Sequence, residues 1–362
     1  MALDASGHRA DDVLRRDHVS RRAYLDWLRG VAVLIMVEAH TLDSWTQAAD
    51  RGRSDYKWAI VVGGFGAPTF LFLAGVALAL AAGSRLDKGL SEAEVSARAR
   101  RRGWEIFGLA FLFRLQSAVL GGGGVRSFLK VDILNVMGLS MLGTALLWGL
   151  ASRTVTRVVV LVTAAAATAM LTPIVRVTKV LDWLPDPIEA YFKPIAQYSG
   201  FTLLPWGGFV LAGAATGLWL DTARTPRDER RVIVWLAVLG PALVATGYAL
   251  SLLPPIYRET NFWTSSPTFF VLRVGVLIAA IAIGYAWTAA VPGRSPIQEL
   301  GIASFFVYWI HVEMVYGFLT WPIHRRLTFE QALIAFALFT VFLYGLVKLK
   351  DRMLTAGRRT SG

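Results

Sequence analysis

Cysteine is missing from this sequence, which excludes disulfides, thiolate metal sites and a covalent S-acyl enzyme. Any covalent chemistry falls to another side chain. Charge is scarce too: 17% of the residues are Asp, Glu, Lys or Arg against 55% hydrophobic, too few for the surface of a water-soluble protein of 362 residues. The opening stretch, through Arg22, has no apolar core of the signal-peptide kind. No internal repeat of the transporter type is evident. The glycine run Gly121–Gly124 lacks the strand-to-helix setting of a phosphate cradle and reads as a flexible outer turn.

What is abundant is apolar sequence in repeated runs of roughly 20 residues, the length a helix needs to cross about 30 Å of hydrocarbon. The expected spans are 24–45, 58–82, 104–122, 131–151, 155–174, 200–220, 231–253, 268–290, 301–321 and 330–348. The expected fold is therefore all-α, a polytopic membrane helix bundle of about ten transmembrane helices. A cytoplasmic N-terminal tail (1–23) precedes the membrane domain (24–348), and a cytoplasmic C-terminal tail (349–362) follows it. The first span would act as an uncleaved signal anchor.

The net charge of +12 does not indicate nucleic acid, because the basic residues lie in the connections. With the N-terminus inside, cytoplasmic segments hold 23 of them and outer connections 11. That is the positive-inside bias, and an even number of spans returns the C-terminus to the same side. The expected location is a bacterial-type inner (plasma) membrane. Outer connections 174–199 and 254–267 are aromatic and proline-rich, which suits either an interfacial belt or the recognition of a sugar or lipid headgroup.

Charged groups inside spans are costly and normally face a bundle interior or a hydrated cavity. In the first span ten residues separate Arg29 and His40, which puts them within about 20° on one helix face and about 16 Å apart along the axis. Asp26 lies a turn before Arg29. Asp43 lies three residues after His40, where it can meet the ring. The plainer reading is an interfacial ion pair and a hydrogen-bonded histidine.

The segment YLDWLRGVAVLIMVEAH (Tyr24–His40) resembles the opening helix of the transmembrane acyltransferase superfamily. That superfamily includes heparan-α-glucosaminide N-acetyltransferase, its bacterial relatives and the acyltransferase-3 family. Its members share an L-D-x-x-R-G opening, and acyltransferase-3 proteins carry an arginine and a histidine spaced as Arg29 and His40 are. Gly66–Gly75, Lys130–Gly138, Leu204–Gly208 and Leu300–His311 resemble later helices in the same order, so the likeness runs over 24–320.

The resemblance implies acyl transfer across a membrane, with acetyl-CoA or another acyl-CoA as cytosolic donor, no metal, and a glycan or glycolipid acceptor of the cell envelope. His40 would then be a general base or the acyl carrier, with Asp43 fixing its tautomer. On the donor side Arg29 and the cluster Arg98, Arg101 and Arg102 would hold CoA phosphates. The cluster serves equally to set topology. Asp132 and Asn135, three residues apart, would bind the acceptor or simply bond to each other. Arg114 and Arg273, inside spans, need an oxyanion or a carboxylate, for which Glu38, Glu105 and Glu313 are candidates. Arg273 joins the acceptor group, as does His311, which otherwise glues helices together. The alternative class is a transporter or flippase in which the same arginines and His40 line a path. Its sign would be paired broken helices in two related halves, and none is found.

Overall fold

A computed structural model describes residues 22–120 and 124–360. The tail over 1–21, most of the glycine turn (121–123) and the last two residues lie outside the described residues. What is described contains fourteen α-helices and no strand, an all-α polytopic bundle.

The helices used below are α1 (Ala23–Trp45), α2 (Ser54–Gly63), α3 (Gly66–Asp87), α4 (Glu92–Leu120), α5 (Gly124–Phe128), α6 (Ile133–Trp148), α7 (Thr154–Val177), α8 (Asp186–Glu189), α9 (Leu203–Asp221), α10 (Pro226–Ser251), α11 (Pro267–Ala290), α12 (Pro296–Ile302), α13 (Ser304–Tyr316) and α14 (Phe329–Thr360). Six stretches are long and apolar enough to cross a membrane: Ser54–Asp87, α7, α9, α10, α11 and Phe329–Ala356. The remaining expected spans fall short for visible reasons. α1 and α4 carry too much charge, α6 has 16 residues, and the ninth span is divided.

Two breaks depart from the expected spans. The second span bends between Gly63 and Gly66, because Pro68 has no N–H to give and its ring crowds the carbonyl four residues back, at Gly64. The ninth starts early, at Pro296. There Ser295 and Gln298 form a reciprocal cap (Gln298 N to Ser295 Oγ 3.3 Å; Ser295 N to Gln298 Oε1 2.8 Å). It is interrupted at Ala303 and ends at Tyr316, after which Gly317 is extended and a 3₁₀ turn (Phe318–Ile323) holds Pro322.

Small residues set the closest crossings, as expected where lipid is as apolar as the side chains and packing drives association. A Cβ at Gly30 would run into the Ile297 carbonyl, and one at Gly301 into the Asp26 carbonyl. The Gly30 that follows Arg29 is thus what lets α12 lie on α1.

Contacts also fix which helix ends share a side. Arg22 reaches the Leu220 carbonyl at the end of α9 (2.8 Å) and Glu229 at the start of α10 (2.7 Å). Trp27 stacks on Trp287 (5.8 Å) near the end of α11. α1 therefore runs antiparallel to α9 and α11. The end of α1 bearing His40 lies with the start of α11, and its start lies with Asp87, which pairs with Arg224.

Candidate active site

His40 is half-buried near the end of α1, and one turn further on Asp43 is exposed. Crossing there is α13, whose His311 is fully buried. An apolar cluster that includes Val33, Val37, Val307 and Val315 holds the two helices together. Ser44 adds a pin, its hydroxyl donating to the Val315 carbonyl at 2.9 Å.

The two imidazoles meet in this crossing. His40 Nδ1 is 2.9 Å from His311 Nε2, and the rings lie nearly parallel, at 7°. His311 Nδ1 is 2.9 Å from the Val307 carbonyl, which can only accept, so Nδ1 of a neutral His311 carries the proton. Its Nε2 is then an acceptor. His40 Nδ1 must in turn be the donor, which leaves His40 Nε2 with its lone pair free. The chain carbonyl, His311, His40 sets the tautomer without a carboxylate.

Asp43 is occupied otherwise. Its Oδ2 accepts from the Tyr316 hydroxyl (3.2 Å), and its Oδ1 faces Arg51 (3.6 Å), which also donates to the Asp43 carbonyl. The Tyr316 ring stands edge-on to His40 at 5.5 Å. The expected tautomer-fixing contact from Asp43 is thus replaced by one from His311. Tyr316, Arg51 and the Val307 carbonyl were not legible in sequence. His311 did carry a signal: of five histidines, only it and His40 fall well inside expected spans.

At the opposite end of α1, Asp26 and Arg29 pair at 3.2 Å, with the Arg29 side chain 31% exposed. The start of α4 lies at this end, a short connection after Asp87. Its buried stripe is Val95, Ser96 and Ala99, while Arg98 is exposed. Arg101 and Arg102 share Glu105 (3.1 and 3.2 Å) on the outward face. Arg100 instead turns back to the Ser96 hydroxyl at 2.8 Å.

Asp132 and Asn135 form the N-terminal cap of α6. Asp132 Oδ1 accepts from Leu134 N (2.9 Å) and Asn135 N (3.3 Å), and Asn135 Oδ1 accepts from Asp132 N (3.0 Å). Asn135 also donates to the Tyr191 hydroxyl at 3.3 Å, and Asp132 Oδ2 is buried with no hydrogen-bond partner among the described residues. Arg114 bonds the Ser127 carbonyl (2.9 Å) and forms no ion pair with a carboxylate among the described residues. Arg273 lies over Phe269 and makes no ion pair among the described residues. The expected counter-charges therefore do not pair with these arginines: Glu105 is taken by Arg101 and Arg102, and buried oxygens of Glu38 and Glu313 have no partner. Helix-face reasoning places groups on one helix but says nothing of what the neighbouring helix offers.

This geometry leaves Nε2 as the ring nitrogen of His40 that carries the lone pair, about 16 Å along one helix from Arg29. The sequence pattern of the family described as "Heparan-alpha-glucosaminide N-acetyltransferase, catalytic" matches residues 21–245, more than half of the chain. No curated protein matches it. The matched stretch contains Arg29, His40 and the α4 arginines, while Arg273 and His311 lie beyond it.

Proposed function

We propose a function from one premise: this chain belongs to the heparan-alpha-glucosaminide N-acetyltransferase catalytic family. It is an acetyltransferase of the membrane that takes the acetyl group of acetyl-CoA on the cytoplasmic side. It delivers that group to a hydroxyl or amine of a glycan or glycolipid at the outer face of a bacterial-type inner membrane. Residues 24–348 make up the catalytic unit, with both tails cytoplasmic.

The observation that carries this reading is the chain of contacts from the Val307 carbonyl through His311 to His40, which assigns the His40 proton to Nδ1. With Nδ1–H held by His311, Nε2 can take the proton of the acceptor O–H or N–H as its heteroatom attacks the thioester carbonyl carbon. The C–S bond then breaks, and Nε2 returns the proton to the leaving thiolate, giving CoA-SH and the acetylated acceptor. The same lone pair serves a two-step route. In that case Nε2 attacks the thioester carbonyl first and CoA leaves as the thiolate; the acceptor then displaces the acetyl group from the ring, its proton passes to the freed Nε2, and loss of that proton to solvent balances protonation of the thiolate. In both routes the positive imidazole is steadied by the bond from Nδ1 to His311.

For the donor, we assign the CoA phosphates to Arg98, Arg101 and Arg102 and place Arg29 over the chain leading to His40. Binding would draw Arg101 and Arg102 off Glu105. Asp43 with Tyr316, and Asp132, Asn135, Arg273 and His311, belong to the acceptor half. The test is purified full-length protein with radiolabelled acetyl-CoA, with and without cell-envelope glycans. Label moving to glycan is the expected result, and none moving to any glycan overturns the reading. Topology is checked by reporter fusions at 185 and after 362, expected on opposite sides.

A further inference from the structure

Arg273 stands in the second turn of α11, six residues in and so about 9 Å from its start. His40 is about 7.5 Å from the end of α1. Because α1 and α11 are antiparallel, Arg273 lies at the depth of His40 and far from Arg29.

The surroundings of Arg273 are aromatic. Its Cζ is 4.2 Å from the ring centre of Phe269, 5.8 Å from Phe65 and 5.9 Å from Trp206. Nε is buried with no acceptor, and the guanidinium enters no ion pair among the described residues. At the helix break, Nη2 lies 3.3 Å from where a Cβ on Gly64 would sit, so glycine leaves room beside the guanidinium. Three rings offset part of the cost of burying a cation, but they supply no hydrogen-bond acceptor.

A second arginine repeats the pattern. Arg176, at the end of α7, gives Nη1 to the Thr264 hydroxyl at 2.9 Å. Its Nε is buried without an acceptor, and it too has no ion pair among the described residues. Thr264 lies in the loop just before α11, and the neighbouring Trp263 packs on Phe269 at 5.1 Å. Two half-buried guanidiniums with unmet donors thus flank one aromatic loop, leading inward to the depth of His40.

We propose that Arg273, with Arg176 nearer the surface, binds an oxyanion carried by the acceptor, so that the preferred acceptor is a saccharide bearing a phosphate-like group. Guanidinium donors aimed at an oxyanion form short, charge-assisted bonds in a site of low dielectric. The CoA phosphates are excluded by depth, since they enter by the Arg29 end. The proposal rests on the acetyltransferase reading in placing the anion on the acceptor and in bringing the CoA phosphates in by the Arg29 end.

The test is calorimetric titration of the full chain, in uncharged detergent, with glucosamine 1-phosphate and with glucosamine. The phosphate ester should bind at least about tenfold more tightly. Arg273→Gln should abolish the preference, Arg273→Lys should keep part of it, and Arg176→Gln should reduce it severalfold. Equal affinities in the unmodified chain, or a preference that survives Arg273→Gln, overturn the proposal. Should Arg273→Gln fail to fold, a preference unmoved by Arg176→Gln and by Arg273→Lys overturns it as well. A parallel arm uses phosphatidylcholine vesicles with and without phosphatidylglycerol. Arg273-dependent thermal stabilisation by phosphatidylglycerol, with none by the sugar phosphate, assigns the site to lipid headgroups and overturns the acceptor assignment. Binding of glucosamine 1-phosphate through Arg273 without acetyl transfer to any glycan would keep the anion site and discard the acetyltransferase.

Discussion

The two halves of the bundle treat charge differently. Toward the start of α1, ionic groups are matched: Arg22 with Glu229, Arg29 with Asp26, Arg157 with Glu92, Arg224 with Asp87, and Lys348 with Glu299. Toward its end ion pairs occur as well (Arg51 with Asp43, Arg53 with Glu330, Lys193 with Glu189), yet buried side-chain atoms of Glu38, Asp132, Arg176, Arg273 and Glu313 have no hydrogen-bond partner among the described residues. A buried polar group without a partner costs about 1–3 kcal/mol, more when charged. Keeping five of them on one side is poor economy for a scaffold and good sense for a site that receives a polar molecule. On the function proposed above, the matched half holds the bundle together and the half with unpartnered buried charge is where substrate would complete the bonding.

The largest effect that would break this comparison lies at His40. General acid–base catalysis is worth about 10²–10⁴-fold, so His40→Ala should lower turnover by that much while acetyl-CoA still binds. Turnover within about threefold of the parent in a folded variant would remove His40 from the chemistry. An acetyl adduct on His40, seen by mass spectrometry of the intact chain after mixing with donor alone, selects the two-step route.

In the proposed mechanism His311 acts through His40, as a positioning residue. His311→Ala removes the acceptor for Nδ1–H and leaves the ring free to turn, and turnover should fall by about 10–100-fold, less than for His40→Ala. His311→Gln can still offer an oxygen to His40 and should recover a measurable part of the loss. Equal losses in Ala and Gln variants of equal stability would mean that His311 only fills space.

Much of the bundle could be read from sequence because hydrocarbon length imposes one rule on every span. That Arg29 and His40 share one helix could be read, because along a single helix spacing is geometry. The His40–His311 pair could not. It joins residues 271 apart through the crossing of α1 with α13, which depends on the Ala303 interruption and on Gly30 and Gly301 meeting opposing carbonyls. Asp132 and Asn135 show a different limit. Their three-residue spacing fits a helix cap as well as a binding pair, and only the backbone geometry reveals the cap.

On the donor side, Arg98→Ala with Arg101→Ala should weaken acetyl-CoA binding by about tenfold and flatten its salt dependence, since each lost guanidinium removes a charge-assisted contact. Neither arginine is buried, so stability should hold. Unchanged affinity would give the cluster a purely topological role and leave Arg29 as the donor arginine.

The smallest effect probes the matched half, where loss should appear as stability and not as catalysis. Arg157 has only 5% of its side chain exposed. It pairs with Glu92 at 2.8 Å, donates to the Ala151 carbonyl at 2.8 Å and lies 4.6 Å from the Trp148 ring centre. Arg157→Met keeps the apolar stem but strips the Ala151 carbonyl and Glu92 of a donor. Glu92 is half exposed and can turn to water, so solvent takes up part of the loss. The expected cost is about 1–2 kcal/mol, read as a lower melting temperature in detergent. Acetyl transfer per folded molecule should stay within about twofold, because Arg157 is at the far end of the bundle from His40. A loss of turnover at unchanged stability would show that the matched half does more than hold the bundle together.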